Sequence, residues 1–121
     1  MHVLVVEDEM LVMVLIKGLL ADLGCTDITV ASNIKTALEY LAGNSFNLAI
    51  LDVNLHGSRS YPVAEALDAR NIPFAFSTGY AREGIDEKYV NRAVLKKPYS
   101  CSNFKAVIEN LLAEGRTLIS T

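Results

Sequence analysis

Leu48-Ala49-Ile50-Leu51-Asp52-Val53 is an unbroken apolar run closed by an acidic residue and one further valine. A strand with one wet face alternates polar and apolar residues, whereas a strand covered on both faces does not. The run therefore predicts a central strand of a parallel sheet, with Asp52 carried to its carboxyl end. Working outward, His2 to Val6, Ile28 to Ala31, Pro73 to Thr78 and Val94 to Lys96 read as four further strands.

Segments of helical period separate these strands. Leu11, Val14, Leu15, Leu19, Leu20 and Leu23 recur at three- and four-residue steps before Gly24, giving a first helix. Ser32 is placed to cap a second helix bearing Ile34, Ala37, Leu38 and Leu41. Pro62 suits the first turn of a third, with Val63, Ala66 and Leu67, that stops before Ile72-Pro73. Ala81 to Arg92 contains Gly84 and few apolar anchors, so a fourth helix is expected to be short or mobile. A last helix is expected from about Ser102 to Ala113, ended by Gly115, so that residues 1–114 form one domain and 115–121 a tail. Strands alternating with helices at this spacing imply right-handed crossovers and a doubly wound α/β sheet. In such sheets ligands bind beyond the carboxyl ends of the strands.

Composition narrows the function classes. With 121 residues, 51% hydrophobic and 21% charged, the chain is expected to form one compact domain without a separate output domain. A net charge of -3, without a Lys/Arg cluster, disfavours direct nucleic-acid binding. Cys25 and Cys101 have neither zinc nor redox spacing, and no apolar run approaches membrane-spanning length. The expectation is a cytoplasmic protein without membrane insertion.

Glu7 and Asp8 follow the first strand, Asp52 ends the third, Thr78 the fourth, and Lys97 follows the fifth, so all five are expected on one rim. Carboxylates brought together repel unless a hard cation sits among them, and Mg²⁺ takes oxygen ligands and shares its shell with phosphate. Asp52 could then act as a nucleophile toward phosphorus while Lys97 neutralises charge on the transferring group. Acidic residues after a strand also serve as helix-start charges, which suits Glu9 equally well. His56 reads as a loop histidine without a catalytic role.

Val5-Val6-Glu7-Asp8-Glu9, Leu51-Asp52-Val53-Asn54-Leu55, Phe76-Ser77-Thr78-Gly79-Tyr80 and Lys96-Lys97-Pro98-Tyr99, in this order, resemble the receiver domain of two-component response regulators. The resemblance implies a flavodoxin-like, CheY-like sheet of strand order 2-1-3-4-5. It implies Asp52 as the residue phosphorylated by a sensor histidine kinase or histidine phosphotransfer protein. Mg²⁺ would be held by Glu7, Asp8, Asp52 and the backbone carbonyl of Asn54. Thr78 is implied as the switch hydroxyl and Lys97 as the phosphate contact, with slow self-dephosphorylation. Lys97-Pro98 is a peptide often cis in this family. The output would be altered affinity for a downstream protein, or withdrawal of phosphate as a sink.

Three features depart from the usual pattern. Val94 stands where a switch aromatic is usual, leaving Tyr80 and Tyr99 as candidate substitutes. The stretch after Thr78 is short and contains glycine. Leu55 to Pro62 lacks the usual proline four residues after the acceptor and reads as a polar loop. These features resemble the FATGUY subgroup, with Ser77 in place of its alanine and Ala81 in place of its final tyrosine. That subgroup implies a stand-alone regulator paired with an HWE-type kinase.

Other functions fit less well. A dinucleotide module would want glycines where Glu7-Asp8-Glu9 stand. A haloacid-dehalogenase-like phosphatase would want a second acid where Asn54 stands. The remaining alternative is a docking module that keeps the receiver fold without phosphorylation.

Overall fold

In a computed structural model the described residues are 1–79, 85, 87–89, 92–97 and 99–120, with side chains described through 114. Five strands form one parallel sheet: β1 (His2–Val6), β2 (Asp27–Ala31), β3 (Leu48–Asp52), β6 (Phe74–Thr78) and β7 (Ala93–Lys96). Two short strands, β4 (Asn54–Leu55) and β5 (Ser58–Arg59), make a separate antiparallel ribbon. The sheet order is β2-β1-β3-β6-β7, which is the expected 2-1-3-4-5 once the ribbon is set aside. The helices are α1 (Met10–Asp22), α2 (Ile34–Gly43), α3 (Tyr61–Ala69) and α4 (Cys101–Ser120).

Each sheet face buries its own apolar layer. Leu4, Val6, Ala49, Leu51, Phe74 and Phe76 point into one cluster, with Leu41 of α2 and Val63 and Leu67 of α3. Val3, Val5, Leu48, Ile50, Ala75 and Leu95 point into the other, with Ile16, Leu19 and Leu20 of α1 and Phe104, Ile108 and Leu111 of α4. All five residues of β3 and all five of β6 are buried, as central strands covered on both faces must be. Burying side chains of this size contributes about 1.5–3 kcal/mol each, which fixes the strand ends where the site stands.

Several expectations need correcting. The cap of α2 is Asn33, not Ser32: the Asn33 carboxamide oxygen accepts the Thr36 N–H at 2.8 Å. α1 is apolar nearly all round, so periodicity alone could not choose its buried face. Ile16, Leu19 and Leu20 are buried, whereas Leu11, Val14 and Leu15 are exposed. α4 runs on to Ser120, so residues 115–120 are helical rather than a loose tail. A glycine inside a helix costs roughly 1 kcal/mol but does not end it, and Gly115 is passed in that way. Leu55 to Arg59 is not an irregular loop but folds into the β4–β5 ribbon. Most of the expected fourth helix lies outside the described residues, which contain a 3-10 turn at Glu87–Tyr89. Pro98 and Tyr80 also lie outside them. Among the described residues, no helix is long and apolar enough to cross a membrane.

Candidate functional site

The strand ends deliver the five expected residues to one rim. Glu7 extends the β1–β2 ladder by one bond, its N–H donating to Ala31 O at 3.0 Å. Asp52 closes β3, and the N–H of the next residue, Val53, donates to Ser77 O on β6 at 3.2 Å. Thr78 closes β6, and its carbonyl accepts the Lys97 N–H at 2.8 Å. Asp8, Asp52, Asn54, Thr78 and Lys97 line one cleft, together with Glu9, His56, Gly79 and Arg59.

Charge is concentrated there. Lys97 Nζ lies 3.2 Å from Asp52 Oδ2, 3.4 Å from Glu7 Oε2 and 3.9 Å from Glu9 Oε1. Burial works against the Lys97 ammonium, but the carboxylates of Asp52 and Glu7 outweigh it and leave its pKa above the ordinary value. Glu7 is 1% exposed. Burial, reinforced by the Asp52 carboxylate, pushes Glu7 up to about 7, against the opposing pull of the Glu9 N–H and Lys97. The Asn54 N–H donates to Asp52 Oδ1 at 3.1 Å, and the Glu9 N–H to Glu7 Oε1 at 3.1 Å.

Glu7, Asp8, Glu9 and Asp52 each offer a carboxylate oxygen within 4.8 Å of the others. Glu7 Oε2 is buried without a hydrogen bond, although Lys97 is near. An all-oxygen, anionic set with an unbonded buried oxygen suits a hard divalent cation. Glu9 belongs to this group, although the sequence allowed it to be only a helix-start charge.

The ribbon adds Arg59 and brings in His56, which the sequence placed in a loop without a catalytic role. His56 (φ 51) and Gly57 (φ 84) both have left-handed backbones, the requirement of a two-residue type I′ turn. The turn presents the His56 N–H to Asp8 Oδ2 at 3.0 Å, with the ring Nδ1 3.7 Å from the same oxygen. Arg59 pairs across the ribbon with Asn54 and thereby reaches the cleft wall. A His-Gly pair after Leu55 was the available signal, because glycine takes positive φ freely and histidine tolerates it.

The model of the response regulator receiver domain matches residues 3–109. The chain belongs to the response regulator receiver family. This receiver is similar to SdrG of Sphingomonas melonis Fr1, whose solution structure shares 36% identity over 94% of both chains at TM-score 0.80. The BeF3-activated conformation of SdrG from Pseudomonas melonis Fr1 shares 38% identity at TM-score 0.81, covering 92% of this receiver and 95% of that chain. The receiver domain of a Pseudomonas aeruginosa sensor histidine kinase, with magnesium in its active-site cleft, shares 17% identity at TM-score 0.79 over 93% and 97% of the chains, a likeness of fold. No curated protein matches the chain.

Val94 packs half-buried against the α2–α3 cluster, opposite Phe76 in the β6–β7 register. The Tyr89 ring stacks on Tyr61 at 5.2 Å and meets Phe76 edge-on at 5.5 Å. Tyr99 does not take Val94's place, because it packs against the opposite cluster, its ring 6.0 Å from Phe104. Burial pushes the Tyr99 hydroxyl's pKa up, opposed by its hydrogen bond to Ser77 and the Lys97 charge.

Proposed function

We propose that Asp52 accepts a phosphoryl group from a sensor histidine kinase or histidine phosphotransfer protein. The observation that carries this reading is Lys97 Nζ at 3.2 Å from Asp52 Oδ2 within the acidic group. One carboxylate oxygen of Asp52 attacks phosphorus, a P–O bond to Asp52 forms, and the bond to the donor breaks with its electron pair leaving on the donor. Asn54 N–H holds the other carboxylate oxygen, so the nucleophile is oriented before the donor arrives. Lys97 follows the incoming oxygens and neutralises part of their charge, and the Thr78 hydroxyl bonds the transferred group.

Glu7, Asp8, Asp52 and the Asn54 carbonyl would hold Mg²⁺, which supplies charge neutralisation on the phosphoryl oxygens when bound. The magnesium in the cleft of the Pseudomonas aeruginosa receiver supports this assignment. Output is a change in affinity for another protein, or withdrawal of phosphate from a shared kinase, with slow hydrolysis of the acyl phosphate afterwards. The FATGUY-like residues support an HWE-type kinase. The functional unit is the receiver domain with the whole of α4, acting in the cytoplasm.

The experiment is an NMR titration with Mg²⁺ and then beryllofluoride, a stable mimic of aspartyl phosphate. Shifts at Asp8, Asp52, Thr78 and Lys97 are expected. Spectra unmoved by both ligands would instead favour a docking module that works without phosphorylation, the reading that Val94 supports.

A further inference from the structure

Ser77 is an odd residue for its place. It stands in a fully buried strand among Phe74, Ala75 and Phe76, its own exposure is 0%, and a buried hydroxyl is costly unless it finds a partner. Its partner is the Tyr99 hydroxyl. Tyr99 lies two residues beyond Lys97, and its ring is set against Phe104 of α4. The Lys97 N–H is meanwhile bonded to Thr78 O at 2.8 Å. The stretch that carries Lys97 is thus tied to adjacent residues of β6 at both ends, through one backbone bond and one side-chain bond. Ser77 also supports the acceptor side, since its carbonyl takes the Val53 N–H and its register partner is Asp52.

We infer that Ser77 and Tyr99 form a clamp that positions Lys97 for the phosphoryl group. Both are positioning residues: neither touches the transferring atoms, and Tyr99 serves as a fixed tie rather than a rotating aromatic. With the clamp closed, the four-carbon stem of Lys97 starts from a fixed root, so its ammonium reaches Asp52 and Glu7 together. With the hydroxyl pair removed, the root gains freedom and the ammonium spends less time beside the nucleophile. The clamp depends on a hydroxyl at position 77, because alanine, the FATGUY residue there, could not form it. The inference rests on the phosphoacceptor reading only for its effect on rate.

The test compares wild type, Ser77→Ala, Tyr99→Phe and the double variant by two measurements. Acyl phosphate formation from acetyl phosphate is followed by intact mass in excess Mg²⁺. Each single variant is expected to lower the maximal rate about three- to tenfold with little change in KM for acetyl phosphate, and the double variant to be no slower than the worse single. Additive losses, an unchanged maximal rate in both singles, or a change confined to KM would overturn the clamp. The second measurement is amine footprinting, with Lys97 labelling scaled to Lys105 in the same chain. The ratio is expected to rise several-fold in both singles, whether or not phosphate is transferred, and an unchanged ratio overturns the inference. A raised ratio with a wild type that takes no phosphate would leave the clamp standing and remove the phosphoacceptor reading.

Discussion

Lys97 Nζ and Asp52 Oδ2 lie 3.2 Å apart although 45 residues separate them in the chain. One follows the edge strand β7 and the other closes the central strand β3, so the sheet order creates the contact. Lys97 also faces Glu7 and Glu9, and a single ammonium is opposed by more negative charge than it can cancel. The site is therefore prepared for added positive charge before a donor approaches.

Removing that ammonium should be felt most when divalent cations are absent. Lys97→Ala leaves the buried Glu7 and Asp52 carboxylates facing each other, at an expected cost of about 1–3 kcal/mol in urea unfolding without Mg²⁺. Saturating Mg²⁺ should recover most of this loss, while phosphorylation stays slow. Equal stability with and without Lys97 would show that the ammonium does not hold the carboxylates.

The raised Glu7 pKa gives a pH dependence with a definite sign. The folded value is about 7 against an ordinary value of 4.5, so between these limits the native state binds more protons than the unfolded chain. The group's contribution to stability is therefore greatest below about pH 4.5 and is lost as pH rises through about 7. Without divalent cations, Glu7→Gln should flatten this part of the profile and raise the urea midpoint at pH 8. A variant that loses stability at pH 8 would contradict the assignment.

The ribbon turn supports Asp8 through the His56 N–H, so its backbone should matter for metal binding. Gly57 has φ +84, and a Cβ there would meet nothing within 4 Å, so the cost of alanine is conformational only. Gly57→Ala is expected to cost about 1 kcal/mol and to weaken Mg²⁺ binding several-fold by isothermal titration. Gly57→Asn should be milder, because asparagine tolerates positive φ. Unchanged Mg²⁺ affinity in the alanine variant would separate the turn from the metal site.

Capping distinguishes two adjacent residues at the start of α2. Asn33→Ala should cost about 1 kcal/mol by thermal unfolding, and Ser32→Ala should stay within about 0.5 kcal/mol. A larger loss at Ser32 would contradict the observed cap.

Much of this architecture is legible in the chain because strand burial is written in composition. The unbroken apolar run Leu48 to Leu51 suits a strand covered on both faces, and that placement carries Asp52 to the rim. Acidic and basic residues at strand ends then predict one another's company, as Glu7, Asp52 and Lys97 show. What could not be read depends on contacts distant in sequence or on local backbone choice. α1 offers apolar residues on more than one face, and only packing selects Ile16 over Leu15. The ribbon depends on His56 accepting a left-handed backbone, which most residues avoid and histidine tolerates. Ser77 and Tyr99 lie 22 residues apart, and their hydroxyls meet only because β6 and the segment after β7 are adjacent.

The central claim is that Asp52 is the phosphoacceptor, and trapping the acyl phosphate tests it most directly. The protein is incubated with acetyl phosphate and Mg²⁺, then reduced with borohydride, which converts an aspartyl phosphate to homoserine, and the peptides are sequenced by mass spectrometry. Homoserine at position 52, lost when a chelator is present and in Asp52→Asn, is the predicted result. Homoserine at another aspartate, or none in wild type under saturating donor and Mg²⁺, would contradict the account.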